Sequence, residues 1–205
     1  MESAAWDARY AGSELVWSAE PNQWVVEICA GLEPGRALDL AAGEGRNAIW
    51  LVENGWDVTA VDFSAVAVER MQQLAEQALG NRAMLTPVVG DARESQGSDM
   101  DLVLFCYLHL PEADWAKALE SAVGSCTPGG RVVVIGHARR NLTEGVGGPQ
   151  NPAILYDPEH VTALLEALPE GVAVEVERAE IARRPVTGDS GVREALDTIV
   201  IARRR

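Results

Sequence analysis

From residue 36 onward the chain alternates short apolar runs with longer amphipathic ones, and this alternation restricts the fold more than any other feature. The runs that predict strands cover residues 37–41, 57–62, 84–90, 101–107, 131–137, 172–182 and 196–203. Amphipathic patterns that predict helices cover residues 45–54, 64–79, 111–125 and 157–168. Strands that alternate with helices are typical of βαβ units, so the pattern predicts an α/β fold around a mostly parallel sheet.

The two ends of this pattern differ from its middle. Residues 1–35 contain three of the six tryptophans, and we expect them to form one or two helices outside the sheet. No helical pattern separates the last two predicted strands, so these should form an antiparallel hairpin at one edge of the sheet. Residues 138–156 are rich in glycine and proline, and a loop of that length is usually functional or mobile.

Composition excludes several classes of protein. The 17 basic and 31 acidic residues give a net charge of −14, which argues against binding to phosphate backbones or to anionic membranes. The longest apolar stretch, residues 102–111, is about half of the ~20 residues that a membrane span requires. The chain starts without a basic and apolar leader, so we expect no secretory signal. We therefore expect a partner that is neither nucleic acid nor membrane, but a small molecule or another protein.

The three cysteines, Cys29, Cys106 and Cys126, are too few and too widely spaced for a disulfide framework or a zinc site. Each lies in an apolar stretch, which is typical of a buried free thiol. We therefore expect no metal site and a cytoplasmic location. At 205 residues the chain is long enough for a single domain, and the sequence leaves a monomer and a homodimer equally open.

The most informative segment is residues 37–50, which read ALDLAAGEGRNAIW. A predicted strand enters a glycine turn there, and a predicted helix follows. Gly43 and Gly45 lack the Cβ atoms that would keep a ligand away from the backbone, and the helix begins with free N–H groups. By spacing, residues 43–48 also fit the G-x-G-x-x-G/A fingerprint of dinucleotide-binding proteins.

The charge around the turn favours one kind of ligand. A pyrophosphate binds at a helix N-terminus without a carboxylate beside it, whereas Asp39 precedes this turn and Glu44 lies within it. Acidic groups suit a ligand with an ammonium or a sulfonium group, and S-adenosylmethionine carries both. A nicotinamide-dependent oxidoreductase stays open as the alternative.

Two further acidic residues end predicted strands. Asp62 follows Asp39 by 23 residues, the interval typical of a carboxylate that accepts both hydroxyls of a ribose. Phe63 could then pack on an adenine ring. Asp91 could accept a hydrogen bond from the exocyclic amine of adenine, while the N–H of Ala92 donates to a ring nitrogen. A strand-end carboxylate can also simply cap the next helix, so the prediction depends on these residues occurring together and in order.

In this order, the motifs resemble those of the class I S-adenosylmethionine-dependent methyltransferases. The chain looks most like the small-molecule branch that includes the tellurite-resistance and thiopurine types. The motifs that carry the resemblance are LDLAAGEGRN at 38–47, VTAVD at 58–62, GDA at 90–92 and TPGG at 127–130, together with WDARY at 6–10 and the stretch 17–22. The resemblance implies a Rossmann-like seven-stranded sheet of order 3-2-1-4-5-7-6, with the last strand antiparallel and helices on both faces.

The resemblance also implies one methyltransferase domain over residues 1–205, with residues 1–35 as a helical lid and residues 36–205 as the sheet domain. Asp39 and the turn would hold the methionine part of the cofactor, Asp62 the ribose, and Phe63 and Asp91 the adenine. The expected cofactor-binding residues are Trp17, Asp39, Ala41, Gly43, Gly45, Arg46, Asn47, Asp62, Phe63, Ser64, Asp91, Ala92 and Cys106. Ala41 replaces the first glycine of the family pattern, and its methyl group fits the turn if φ there is negative.

The implied reaction is an in-line transfer of a methyl group from S-adenosylmethionine, with S-adenosylhomocysteine as the product. The protein then aligns the reactants and excludes water, and it supplies a base only if the acceptor must lose a proton. Candidates for that role are Tyr107, His109 and His137. Candidates for substrate contact are Tyr10, His109, Arg139 and Arg140, although core packing, loop hydrogen bonds or solvated charge would also explain these residues.

The sequence shows neither an added recognition domain nor a basic patch, which favours a small-molecule acceptor. We therefore predict a methyltransferase that acts on a small molecule. Besides the oxidoreductase, the alternative is a non-catalytic protein that binds S-adenosylmethionine and acts through protein contacts.

Overall fold

Seven strands form one sheet in the order β3-β2-β1-β4-β5-β7-β6, as predicted. The computed structural model describes residues 3–12, 15–16, 18–80, 84–94, 96–169, 172–188 and 191–205. The strands are Arg36–Leu40 (β1), Asp57–Asp62 (β2), Leu85–Val89 (β3), Met100–Cys106 (β4), Cys126–His137 (β5), Val174–Gly188 (β6) and Gly191–Arg204 (β7). The helices are Ser3–Tyr10 (α1), Gln23–Cys29 (α2), Arg46–Glu53 (α3), Ala65–Leu79 (α4), Glu112–Ser125 (α5), Asn141–Glu144 (α6) and Pro158–Glu166 (α7), with a 3-10 helix over Pro152–Ile154.

Five strands run parallel, and the sixth and seventh form the predicted hairpin. β1 lies between β2 and β4, β4 pairs with β5, and β7 runs antiparallel to both β5 and β6. The hairpin is longer than predicted, because its pairing continues from Arg183↔Leu196 to Gly188↔Gly191. That outer part is polar and mostly exposed, so it lacks the apolar pattern by which a strand is recognised in a sequence.

Helices cover both faces of the sheet, and each face has its own core. Leu38 and Leu40 of β1 point into a core formed with α5 and α7. Ala37 of the same strand points into a core formed with α2, α3 and α4. This alternation follows from the pleat of the strand. The carboxyl ends of β1, β2, β4 and β5 are consequently left together at one edge, where the connecting loops meet.

Across the described part of the chain, no helix combines the length and the apolar character that a membrane span requires. The longest of these helices, α4, has 15 residues.

Candidate active site

Backbone hydrogen bonds fix the glycine turn between β1 and α3. Gly43 and Gly45 have φ angles of 58° and 84°, in the region that favours glycine. Asp62, at the end of β2, accepts hydrogen bonds from the N–H of Gly43 and from the N–H of Ser64, both at 2.9 Å. A Cβ atom on Gly45 would clash with Met71 of α4. The turn is therefore anchored to β2 and packed directly on α4.

Ala41 contradicts the expectation of a negative φ. Its φ is 61°, in the left-handed region, where a residue other than glycine loses roughly 1–2 kcal/mol. The reason lies in the next residue, whose N–H donates to the carbonyl oxygen of Val61 at 2.9 Å. This hydrogen bond directs the backbone toward the end of β2 immediately after β1 ends. The turn thus keeps a glycine-type conformation although the glycine has been replaced.

Asp39 is a fully buried carboxylate at the carboxyl end of β1. Within the described ranges, neither of its oxygens has a hydrogen-bond partner. Burial, and next the nearby Asp62, raise the pKa of Asp39 to about 7, although Arg46 offsets part of their effect. An unpaired polar group in the interior is costly, and an ammonium group placed here would satisfy both oxygens. The residues present therefore fit the cationic end of an amino-acid ligand.

Three more predicted residues surround this carboxylate. Asn47 accepts a hydrogen bond from the N–H of Asn22 at 2.9 Å, and Arg46 donates to the Ser18 hydroxyl at 3.0 Å. Burial raises the pKa of Cys106, at the end of β4, to about 12. The charges of both Arg46 and Asp39 act on that thiol. Arg46, Asn47 and Cys106 are therefore brought together around the turn, as predicted from the sequence.

The predicted ribose and adenine residues follow along the same edge. Phe63 is 36% exposed, which is unusual for a phenylalanine and leaves its ring open to a flat ligand. The hydroxyl of Ser64 caps α4 by accepting from the Ala67 N–H at 3.1 Å. The end of β3 is tied to the end of β2, because the N–H of Gly90 donates to the carbonyl oxygen of Asp62 at 3.0 Å.

Asp91 and Ala92 follow β3, and the carboxylate of Asp91 already has a partner. Arg93 donates to its two oxygens at 2.9 Å and 2.5 Å, and also pairs with Asp114 at 3.1 Å. The side-chain hydrogen bond from Arg93 lowers the pKa of Asp91. An adenine amine would therefore share this carboxylate with Arg93.

The N-terminal segment contacts the turn through Glu44. This buried carboxylate accepts from the N–H of Val16 at 2.9 Å and from Arg70 of α4 at 2.6 Å. Tyr10 is buried in α1, which packs against α4, and its ring stacks on Trp6 at 5.5 Å. Trp17, the other predicted residue of this segment, lies outside the described residues.

Another fully buried carboxylate, Asp197 of β7, was not predicted. Its Oδ2 accepts hydrogen bonds from Trp24 Nε1 at 2.9 Å, the Tyr107 hydroxyl at 2.8 Å and Arg184 Nε at 2.7 Å. Burial alone would raise the pKa of Asp197, but the contacts with His137, Arg184 and Trp24 outweigh it and lower the pKa to about 2. The signal in the sequence is a single acid within the apolar run ALDTIVIA at 195–202. Such an acid needs buried partners.

The three predicted proton-transfer candidates lie beside Asp197. Tyr107 follows β4 with a φ of 62°, and its ring is 4.8 Å from that of His137. The rings of His109 and His137 stack at 5.6 Å. His137 Nδ1 is 3.3 Å from Asp197 Oδ1, and neither atom forms a regular hydrogen bond within the described residues. The structure thus joins Tyr107, His109 and His137 into one cluster.

The predicted arginines after β5 make their contacts within the loop. The N–H of Arg139 donates to Asp157 at 2.9 Å, and its guanidinium donates to the carbonyl oxygen of Leu155 at 3.3 Å. Arg140 forms an exposed pair with Glu144 at 2.8 Å. Neither guanidinium has a contact of this kind with the histidine cluster.

Comparison with known proteins finds a matching family model and related sequences. Residues 37–130 match the family model described as "Methyltransferase domain". Over 96 residues the chain is 38% identical to YqeM of Bacillus subtilis (strain 168), whose name describes a methyltransferase. That match covers 45% of this chain and 37% of YqeM. The chain therefore spans little more than a third of the length of this curated relative.

Two solved structures cover almost the whole chain. TehB from Haemophilus influenzae superposes with a TM-score of 0.71 at 16% identity, over 99% of this chain and 67% of TehB. Magnesium protoporphyrin IX methyltransferase (ChlM) from Synechocystis PCC 6803, solved with bound S-adenosylhomocysteine, gives a TM-score of 0.71 at 19% identity, over 99% and 95%.

At these identities the structures establish the fold, and the family model adds sequence evidence over residues 37–130. Those residues include the turn and the ends of the first four strands. The chain therefore matches a methyltransferase domain over residues 37–130 and has the fold of the class I S-adenosylmethionine-dependent enzymes, which confirms the resemblance drawn from its motifs.

Proposed function

We propose that the protein transfers a methyl group from S-adenosylmethionine to a small-molecule acceptor. The observation that carries this proposal is Asp39, a fully buried carboxylate with both oxygens unpaired in the described structure, beside a glycine turn. A protein keeps such a group where a ligand pairs with it, because the unpaired state is costly. The amino-acid end of S-adenosylmethionine supplies the ammonium that this position requires.

Each part of the cofactor has matching residues in the proposed site. Asp39 binds the ammonium group, and the backbone of Gly43 and Gly45 allows close approach. Asp62 holds the ribose with the acceptor positions that remain after its two backbone hydrogen bonds, since a carboxylate has about four. Phe63 packs on the adenine. When bound, the cofactor supplies an electrophilic methyl group on a sulfonium.

The N-terminal residues 1–35 act in this proposal as a lid on the sheet domain of residues 36–205. Support comes from contacts that join the two parts: Val16 with Glu44, Asn22 with Asn47 and Trp24 with Asp197. A lid of this kind excludes water during the transfer.

A small-molecule acceptor fits the net charge of −14, which opposes binding to nucleic acid. ChlM, by its name, methylates a small molecule and shares this fold. The three free cysteines suit a reducing compartment, so we keep a cytoplasmic location as part of the proposal. A monomer and a homodimer both stay compatible with it.

Calorimetric titration with S-adenosylhomocysteine and, separately, with NAD tests the cofactor. We expect binding of one S-adenosylhomocysteine per chain and no binding of NAD. Binding of NAD without S-adenosylhomocysteine would reject the proposal in favour of an oxidoreductase. Turnover of radiolabelled S-adenosylmethionine with thiols, selenide, tellurite and phenols then separates an enzyme from a protein that only binds the cofactor.

A further inference from the structure

The polar side-chain atoms of Tyr107, His109 and His137 differ in whether neighbouring groups already form hydrogen bonds with them. The Tyr107 hydroxyl donates to Asp197 and accepts from Arg184 Nε at 3.0 Å. Burial also raises the pKa of Tyr107 well above its ordinary value. The phenol oxygen therefore keeps its proton and serves to hold Asp197 in place.

His109 forms its hydrogen bond with the main chain. Its Nε2 accepts a hydrogen bond from the main-chain N–H of His137 at 3.3 Å, so this nitrogen carries no proton and faces the protein. Burial, and next the proximity of His137, lower the pKa of His109 to about 4. The ring is therefore neutral near pH 7 and acts as a support against which the second imidazole stacks.

His137 keeps one nitrogen for a ligand. Its buried Nδ1 faces Asp197 Oδ1 at 3.3 Å, and a carboxylate in that position favours the tautomer with the proton on Nδ1. No residue of the described ranges forms a hydrogen bond with Nε2 of this ring. The side chain is 13% exposed, and because Nδ1 is buried that exposure belongs to the other atoms of the side chain.

The loop after β5 fixes the position of this ring. A Cβ atom on Gly148 would lie 2.7 Å from His137 Cδ2, so the backbone there packs directly on the imidazole. Asn141 holds this part of the loop by donating to the carbonyl oxygen of Gly147 at 2.9 Å and accepting from the N–H of Leu196 at 2.8 Å. The orientation of His137 is thus set by β7 on one side and by the loop on the other.

The cluster also lies where an acceptor would approach the cofactor site. β4 separates β1 from β5 in the sheet, and neighbouring strands are about 4.8 Å apart, so His137 is roughly 10 Å from the end of β1. Cys106, at the end of β4, lies near enough to both Asp39 and Asp197 for their charges to act on its thiol. The charged and titratable groups that surround His137 are Asp197 from β7, Tyr107 and His109 from the segment after β4, and Arg184 from β6.

We propose that His137 Nε2 accepts the proton of a hydroxyl acceptor, and that Asp197 is the positioning residue that holds the Nδ1–H tautomer. This inference rests on the proposed function and names its substrate class. As the acceptor oxygen bonds to the methyl carbon, the carbon–sulfur bond breaks and its electron pair stays on sulfur. The hydroxyl proton passes to Nε2 and is later released to water.

The base selects the class of acceptor. A carboxylate is already ionised near pH 7, a thiol ionises with a pKa near 8.5, and an amine attacks through its lone pair before it loses a proton. A phenol or alcohol, with a pKa of about 10 or higher, gains most from a base that takes its proton during the attack. A positioned neutral imidazole therefore points to a hydroxyl group.

Nitrogen NMR of the full chain, labelled with ¹⁵N in histidine, tests the tautomer directly. At pH 8 we expect the proton of His137 on Nδ1 and none on Nε2. Loss of one set of signals in His137→Gln assigns the residue, and His160→Gln, which alters an exposed ring paired with Glu112, is the control. A proton on Nε2, or on both nitrogens, overturns the proposal.

Methyl transfer provides the second arm, with 4-methylumbelliferone, thiophenol and benzoate as hydroxyl, thiol and carboxylate probes. We expect His137→Gln to lower transfer to the hydroxyl probe by about 100-fold or more while the Kd of S-adenosylhomocysteine stays unchanged. Transfer to the thiol and carboxylate probes, which need no base, should be similar in both proteins. Transfer to the hydroxyl probe at equal rates in both proteins overturns the proposal. If no probe is methylated, the tautomer alone decides. Failure of the wild-type protein to bind S-adenosylhomocysteine would reject the proposed function, a result distinct from a wrong tautomer.

Discussion

Asp39 and Asp197 are both fully buried aspartates near the same edge of the sheet, yet their surroundings are opposite. Asp39 has no hydrogen-bond partner in the described structure, and burial raises its pKa to about 7. Asp197 accepts hydrogen bonds from Trp24, Tyr107 and Arg184. Burial acts on Asp197 as well, but the contacts with His137, Arg184 and Trp24 outweigh it and lower its pKa to about 2.

The difference separates two kinds of functional residue. Asp197 has protein donors without a ligand, because its Oδ2 accepts hydrogen bonds from α2, β6 and the segment after β4 while its Oδ1 faces His137 Nδ1 at 3.3 Å, and it therefore stabilises the fold. Asp39 is incomplete, so the folded protein keeps a cost that only a cationic ligand removes. A binding site that opposes stability in this way is a common compromise in enzymes.

Asp39→Asn should weaken cofactor binding strongly without lowering the stability of the fold. Without the charge, we expect the Kd of S-adenosylhomocysteine to rise by about 100-fold or more, which is about 2.7 kcal/mol. The free energy of unfolding at pH 8 should stay equal or increase, because an unpaired buried charge is removed. Calorimetry and thermal unfolding measure the two quantities. Asp57→Asn, at the exposed start of β2, is the matched control and should change neither.

Asp197→Asn should behave in the reverse manner. It leaves Arg184 without its charged partner, and breaking a buried pair typically costs about 3–5 kcal/mol. Arg184 is 22% exposed, so water compensates in part, and we expect the free energy of unfolding to fall by about 3 kcal/mol. Urea unfolding of this variant beside Asp39→Asn measures the difference. A loss below about 1 kcal/mol would show that the cluster does not stabilise the fold as described.

The pH dependence of cofactor binding should reveal the unpaired carboxylate. The folded-state pKa of Asp39, about 7, lies above the ordinary aspartate value of 3.8. Its contribution to stability is therefore present below pH 4 and is lost as the pH rises through 7. A cationic ligand binds the ionised form, so the affinity for S-adenosylhomocysteine should rise roughly tenfold between pH 6 and pH 8. Calorimetry in buffers of different ionisation enthalpy should detect proton release near pH 6.5, and a flat profile in the wild type would contradict the assignment.

The two aspartates also show how far the sequence predicts the site. Asp39, Gly43, Asp62 and Asp91 lie in short motifs at strand ends, so the order of strands was enough to bring them together. Asp197 meets His137 only through the antiparallel pairing of β5 with β7, 60 residues later in the chain. Local patterns carry no information on such long-range pairing, so the acceptor side was identified only as separate candidates.

The same reasoning explains the elements that the sequence predicted incompletely. The outer part of the β6–β7 hairpin is stabilised by pairing between strands, and its polar residues give no apolar pattern. The segment 138–156 has the composition of a loop, yet it contains α6 and the 3-10 helix. Asn141 holds part of this segment through main-chain contacts that depend on β7. In both cases tertiary contacts decide what the local composition leaves open.

Ala41→Gly should give the smallest effect and tests whether the turn itself is strained. Ala41 has a φ of 61°, so glycine should raise the free energy of unfolding by about 1 kcal/mol, since it removes the clash of the Cβ atom in the left-handed region. Ala42→Gly is the matched control, because Ala42 is not among the residues of positive φ. There the added freedom of the unfolded chain should lower stability by roughly 0.5–1 kcal/mol. Opposite signs at adjacent alanines, measured by urea unfolding, would locate the strain at the first position. Equal losses at both would show that the turn accommodates alanine without strain. The cofactor side would then differ from the cluster around Asp197 only in the unpaired carboxylate of Asp39.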